Sequence, residues 1–368
     1  MLLFVITALL IYTAMHLIVF WGLHPLLARH RALPTLSWVL MVPMIFAPVG
    51  VRLLERYGYE WGARSLAWVG FTWMGFLFIA FSMFILLFAF EVIFFILKRI
   101  TPLPRLTLRS AQSAAIIFII TLTAGIYSLH EATDLRVERI SLTAPNIGGN
   151  AEKITVAQLS DIHLGLMNRE NILAPIVSKL QELKPDIVLA TGDVVDAQIN
   201  HIDELSELWS RINPPLGKYA VLGNHEFYAG EGQSIDFLQK SGFKVLRGES
   251  VSPKGELTII GVDDSRDADN TSLIRKFDSP LYTVYMKHRP TIIASELPFF
   301  DLQLSGHAHR GQIFPFNFLT GILFPMQDGL YPLPGGSYLY ASRGTGTWGP
   351  PMRLISPPEI SIFELKKP

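Results

Sequence analysis

Long unbroken apolar stretches fill the first third of the chain, at residues 2–23, 36–54, 66–97 and 111–129. Beyond residue 130 the apolar positions come instead in short runs separated by turn residues. Each long stretch is near or above the roughly 20 residues that carry a helix across a bilayer core. They predict four membrane-spanning helices. The first lacks the basic start and the small-residue cleavage site of a removable leader, and further spans follow it, so it reads as an anchor. Pro43 and Pro48 interrupt the second, where a kinked or re-entrant helix is the alternative. The third outruns a hydrocarbon core of about 30 Å at roughly 1.5 Å per residue, and has to tilt or project. Near its end Glu91 precedes Lys98 and Arg99, as a functional acid or as a boundary residue that pairs or reaches water.

From residue 131 onward the pattern predicts a soluble α/β domain. Residues 135–142 and 153–159 have strand length, with Pro145, Asn146, Gly148, Gly149 and Asn150 between them, which predicts an opening hairpin. A helix over 171–183 and strands at 186–190, 219–222, 281–286 and 301–304 follow. At the ends of these strands stand Asp161-Ile162-His163, Gly192-Asp193, Gly223-Asn224-His225-Glu226, His288 and Gly306-His307-Ala308-His309. Loops at strand ends are where an open α/β sheet presents ligand-binding groups. One such His has an equally good structural explanation, but five blocks at five strand ends point to one shared site. Oxygen and imidazole donors with a carboxylate free to bridge suit two divalent cations and metal-assisted phosphoester hydrolysis.

Lys plus Arg equals Asp plus Glu at 31 each, so no basic surplus points to nucleic acid. With no Cys, disulfides and thiolate metal sites are excluded. Lys98, Arg99, Arg105 and Arg109 outweigh Arg52, Arg56 and Arg64 with their neighbouring acids, so the loop at 98–110 is expected in the cytoplasm. The domain after residue 130 is then expected outside the cell or in the periplasm, on an integral protein of the cell membrane.

The five blocks resemble the calcineurin-like metallophosphoesterase superfamily over about residues 135–365, with its order Asp-x-His, Gly-Asp, Gly-Asn-His-Glu, lone His and Gly-His-x-His. Ser342-Arg343-Gly344-Thr345-Gly346, with Pro357-Pro358-Glu359-Ile360, is similar to the bacterial membrane-associated branch. The resemblance implies a four-layer α/β sandwich, two mixed sheets flanked by helices, over residues 131–368, preceded by the all-α transmembrane region at 1–130. It implies Asp161, His163 and His309 on one metal, Asn224, His288 and His307 on the other, and Asp193 bridging. His225 would act on the substrate. Ala308 and Arg310 depart from the branch, which often has Thr and Gly there, without removing a ligand.

Without sulfur donors, manganese, iron and zinc all suit the site. Attack by a metal-bridging hydroxide needs no covalent intermediate, and His225 would stabilise phosphate charge or protonate the leaving oxygen. Arg310 either contacts the substrate phosphate or forms a surface ion pair. Asp196 is expected to orient a ligand or cap the next segment. The apolar run at 313–326 either dips into lipid beside the metals or forms a buried strand pair with a Pro turn. The first option favours a lipid-linked phosphodiester or pyrophosphate. The alternatives are a soluble nucleotide or other soluble phosphoester, a non-catalytic scaffold or metal sensor on the same fold, and transport by the spans.

Overall fold

The structure, a computed structural model, describes residues 2–101, 108–149, 151–196, 202–265 and 268–368. Arg105 and Asn150 lie outside them. Backbone packing divides the chain into two units, residues 1–130 with 349–354, and residues 131–348 with 355–368.

The first unit holds helices α1 (Leu2–Leu27), α2 (Leu33–Arg56), α3 (Glu60–Leu97) and α4 (Ala111–Glu131). All four are long and apolar enough to cross a membrane. Leu10, Val39, Phe46, Val69 and Phe118 are exposed on them, the outward apolar surface that a lipid solvent favours. Tyr12, Val19, Met41, Leu77, Phe84 and Ile117 turn inward as a small core. α2 runs unbroken through Pro43 and Pro48, and α3 reaches 38 residues. Several polar groups inside the unit are paired. Trp73 Nε1 can only donate, so His16 Nε2 accepts it at 3.0 Å and His16 Nδ1 donates to Tyr12 O at 2.8 Å. Glu91 accepts the backbone N–H of Arg109 at 2.8 Å, while the Arg109 guanidinium lies 4.0 Å over the Trp21 ring. Glu91 is therefore satisfied at the helix boundary. The segment 349–354 joins this unit through Arg353 N, which donates to Ser128 O at 2.9 Å.

The second unit contains strands β1 (Arg136–Thr143), β2 (Lys153–Leu159), β3 (Ile187–Ala190), β4 (Lys218–Ala220), β5 (Lys244–Val245), β6 (Glu249–Val251), β7 (Thr258–Gly261), β8 (Thr283–Met286), β9 (Leu302–Ser305), β10 (Gly329–Pro332), β11 (Tyr338–Ala341) and β12 (Glu359–Lys366). They form two six-stranded mixed sheets, ordered β1-β12-β2-β3-β4-β5 and β10-β11-β9-β8-β7-β6. The expected opening hairpin is absent among the described residues. β12 inserts between β1 and β2, parallel to the first and antiparallel to the second. Its five consecutive buried positions from Glu359 belong to a central strand, and a local turn between β1 and β2 offers no equivalent apolar partner.

Alternation along the strands builds the layers. Ile187 and Leu189 of β3 face the other sheet in a core with Ile259, Val284 and Leu304, whereas Val188 and Ala190 face helices. Those helices are α5 (Glu170–Leu183), α6 (Leu205–Trp209), α7 (Asn224–Ala229) and α8 (Glu231–Lys240), of which α5 contributes Leu173, Ile176, Val177 and Leu180 to that second core. On the far side of the second sheet, Ile260 and Tyr285 pack with Ile274 of α9 (Thr271–Ile274). Two mixed sheets flanked by helices are thus the observed arrangement. The apolar run at 313–326 is not a strand pair. It carries a short helix, α10 (Asn317–Leu323), with Phe318, Leu319, Ile322 and Leu323 exposed.

Candidate metal centre

β2, β3 and β4 run parallel in one sheet, and β8 and β9 run parallel in the other, so their C-terminal ends can deliver loops to common ground. Gln158 ties the two sheets there, donating from β2 to Ser305 O of β9 at 2.9 Å. The loops that leave these ends are sharply bent. Asp161, His163, Asp193, His307 and His309 have φ of 54°, 55°, 50°, 69° and 49°, in the left-handed region that non-glycine residues visit rarely. Such strain of order 1–3 kcal/mol per residue persists where surrounding structure enforces it, and it is concentrated here on candidate ligands. Gly192, with φ of 94°, precedes one of them, and a Cβ there would meet His288 Nδ1 at 2.6 Å. Backbone, not side chain, has to pass between those two ligands.

The tail motif enforces the first bend. Thr345 N donates to Ser160 O at 2.7 Å and Gly346 N to Asp161 O at 3.0 Å. Asn168 adds a hydrogen bond to Ile162 O at 3.3 Å. Arg343 is held by Glu359 at 2.6 Å and by Glu138.

Six of the seven expected ligands are brought together as two triads. Asp161, His163 and His309 form one, and Asp193, His288 and His307 the other, with donor atoms in each triad within 4.8 Å of one another. His163 Nε2 lies 3.1 Å from His309 Nε2, which is 3.4 Å from Asp161 Oδ1. His288 Nε2 lies 3.2 Å from Asp193 Oδ2 and 3.2 Å from His307 Nδ1. Asp193 also groups with His163 and His225, which puts its carboxylate between the triads, the position of a bridge. Asn224, the seventh, opens α7, and its Oδ1 is buried without a hydrogen-bond partner. An orphaned buried carbonyl is costly unless something polar meets it, and a cation would.

The electrostatics suit the same donors. Burial disfavours the ionised form of Asp161 and Asp193, yet the imidazoles of His309 and His288 hold both carboxyls below the usual range. Burial, then the charge of His225, takes His163 down to about 3, and burial with His288 and Arg289 does the same for His307. Burial opposes charge on His288 as well, but Asp193 pushes it up to about 10, so beside Asp193 a proton takes the place that a cation would claim by displacing it. Ionised carboxylates and neutral imidazoles are the forms that bind metal. His288 Nδ1 donates to Thr191 O at 2.8 Å, which fixes its tautomer and turns Nε2 inward. The residues present therefore fit a pair of divalent cations.

His225 sits beside the ligands rather than among the triads' donors, with its ring 4.6 Å from that of His163. Asp196 Oδ1 accepts from its Nδ1 at 2.8 Å, so Asp196 orients the expected catalytic residue rather than a metal ligand. Burial pulls the His225 pKa down, but the bond to Asp196 and the charge of Asp193 outweigh it and the net direction is up. Tyr228 and Trp348 flank the ring at 5.3 and 5.6 Å. Arg310 follows His309, and its Nε lies 3.3 Å from Asp328.

Two contributions were not visible in the sequence reading. Glu226 is wholly buried, and its carboxylate accepts the amides of Asp193 at 2.9 Å, Gly223 at 2.7 Å and Val195 at 3.1 Å. It clamps two ligand loops together, and its place three residues after Gly223, at the start of a helix, was the available signal. Arg289 directly follows His288, but the sequence carries no sign of its contact with Asp264.

Residues 154–311 match the family model described as Calcineurin-like phosphoesterase. An uncharacterized metallophosphoesterase of Aquifex aeolicus is 40% identical over 256 residues, which cover 67% of this chain and 98% of that one. A metallophosphoesterase of Campylobacter jejuni is 33% identical over 62% of this chain and 63% of its own length. A Danio rerio protein named as a transmembrane protein with metallophosphoesterase domain is 29% identical, over 70% of this chain and 64% of that one. The chain thus spans nearly all of the first relative and just under two thirds of the other two.

Proposed function

Because the chain belongs to the calcineurin-like metallophosphoesterases, we propose that it is a membrane-anchored, dinuclear-metal phosphoesterase that hydrolyses phosphodiester or pyrophosphate bonds of lipid-linked substrates. The observation that carries the hydrolase part is the convergence of the triads on Asp193. Asp161, His163 and His309 would hold one cation, Asn224, His288 and His307 the other, and Asp193 both. When bound, the cations would polarise the phosphoryl oxygens and activate the attacking water. His225, steadied through Nδ1 by Asp196, keeps Nε2 for the substrate, where it would protonate the leaving oxygen or stabilise charge on phosphate. Arg310 would assist at the phosphate if it leaves Asp328, and Arg310→Ala with an unchanged KM would remove that role.

The lipid part rests on α10. Its exposed Phe318, Leu319, Ile322 and Leu323 extend from the site, since the Phe324 ring that follows lies 5.1 Å from that of His307. In a chain with four apolar helices of membrane-spanning length, such a wall favours a substrate whose own tail is apolar. The positive loop at 98–110 supports a domain on the extracytoplasmic side of the cell membrane. Metal analysis of purified protein, with hydrolysis of a soluble diester and of a phospholipid in nanodiscs, tests the proposal. Two metals with preferential lipid turnover, reduced by Ile322→Asp, is the expected result. Equal turnover of the soluble diester, unaffected by that change, favours a nucleotide or other soluble phosphoester.

A further inference from the structure

Arg289 follows the ligand His288 and has only 15% of its side chain exposed. Its Nε and Nη2 donate to the two oxygens of Asp264 at 2.8 and 3.0 Å. Asp264 is itself fixed, since its backbone N–H donates to Leu222 O at 3.1 Å just before the Gly223-Asn224 block. A planar guanidinium bound along one edge has its other edge aimed. That other edge is Nη1, and it lies 3.1 Å from His307 Nε2.

The opposite nitrogen of the same ring, His307 Nδ1, faces His288 Nε2 at 3.2 Å, inside the triad. A neutral imidazole has one nitrogen that accepts and one that carries hydrogen. If Nδ1 serves a cation, Nε2 carries the hydrogen, and two donors then confront each other across the distance at which Nη1 now sits. The Nη1 hydrogens lose their acceptor while Asp264 prevents the group from swinging away. A guanidinium edge so placed, next to where the cations would hold a phosphate, needs an anionic oxygen.

We propose that Arg289, clamped by Asp264, is a substrate-binding residue that donates through Nη1 to a non-bridging oxygen of the phosphate. This deepens the metallophosphoesterase reading and rests on it. The side chain contributes affinity for the phosphate group itself, not for whatever the phosphate is attached to, so it acts on soluble and lipid substrates alike.

The experiment uses the full-length, metal-loaded protein in detergent, with metal content measured by mass spectrometry and inorganic phosphate binding by calorimetry. Arg289→Ala is expected to retain both metals and bind phosphate about tenfold to a hundredfold more weakly, the loss of a charge-assisted hydrogen bond. KM for a soluble diester should rise by a similar factor while kcat stays within about threefold. Arg289→Lys should recover part of the phosphate affinity, because the charge returns without the fork. Asp264→Asn, which loosens the clamp and leaves the guanidinium, should shift KM in the same direction by less.

Unchanged phosphate affinity and KM in a metal-replete Arg289→Ala protein, beside an active wild type, would overturn the assignment and leave the phosphoesterase reading standing. Loss of metal from that variant, with normal phosphate affinity once metal is saturating, would also overturn it by making Arg289 a support for His307. A metal-loaded wild type that neither binds phosphate nor cleaves any ester would remove the proposed function, and this inference with it.

Discussion

His225 and Asp193 stand less than a van der Waals layer apart, since the His225 amide donates to Asp193 Oδ1 at 2.8 Å, yet their substitutions should have different signatures. The His225 ring is held through Nδ1 by Asp196 and belongs to neither of the two expected ligand sets, so His225→Ala should remove a proton donor and leave the proposed metal cradle. Turnover should fall by about 10² to 10⁴, the ordinary worth of general acid help, with both metals retained. Asp193 belongs to one triad and also groups with His163 of the other, and Asp193→Asn would exchange the charge of the proposed bridge for a neutral amide. Both metals should then bind more weakly, and activity should return in part at high metal concentration. Metal content measured beside kcat separates the two, and a His225 variant with wild-type turnover would remove the residue from the reaction. The seven candidate donors stand out in the sequence because each occupies a short block with a strand before it, and six of them are brought together in the fold. Arg289 and Asp264 do not stand out, because they are 25 positions apart and neither lies in a recognisable block.

At the scale of elements, two buried ionisable groups hold loops and helix ends in place. Glu226, in the first turn of α7, gathers three amides from the loops after β3 and β4. Glu226→Ala strands those buried donors, each at about 1–3 kcal/mol. The variant should unfold at lower temperature and lose metal affinity even though Glu226 is no ligand, and calorimetry with and without metal tests both. Lys218 at the start of β4 does a similar task for helices. Its Nζ donates to Trp209 O at the end of α6 and to Ser241 O just past α8, each at 2.7 Å. Cations favour helix C-termini, but burial pulls this ammonium down to about 8 from 10.5. Between those values the unfolded chain binds the extra proton, so stability conferred by this side chain rises with pH across about 8 to 10.5. The stability of wild type relative to Lys218→Met should rise over that interval. A relative stability that stays flat or falls would mean that the lysine stays charged in the folded protein. Neither contact was readable from the sequence, because each depends on which loops the sheet brings together.

Over the whole molecule, what could be read ahead of the structure was what hydrophobic pattern encodes locally. Four helices and the strands that precede the ligand blocks follow from run length and alternation within windows of a few turns or pleats. The central place of β12 does not, since Glu359–Lys366 pairs with strands more than 200 positions earlier. That placement makes the orientation of the domain testable. β12 is paired along both sides in the middle of a sheet, so a reporter joined after Pro368 must lie on the same side of the membrane as the candidate metal centre. The count of spans decides which side that is. With all four helices crossing and the loop at 98–110 cytoplasmic, α4 carries the chain outward. If α2 enters and leaves by the same face, the domain remains linked to that loop by one crossing and its side is unchanged, whereas the chain's beginning changes sides. A periplasmic phosphatase fused after Pro368 should therefore be active in a bacterial host, and a fluorescent protein that matures only in the cytoplasm should be dark. Replacing Lys98, Arg99 and Arg109 with Gln should erode the preference, because the remaining basic loop at 52–64 then competes. A bright fluorescent fusion with a silent phosphatase would put the metal centre in the cytoplasm and confine its lipid substrates to the inner leaflet.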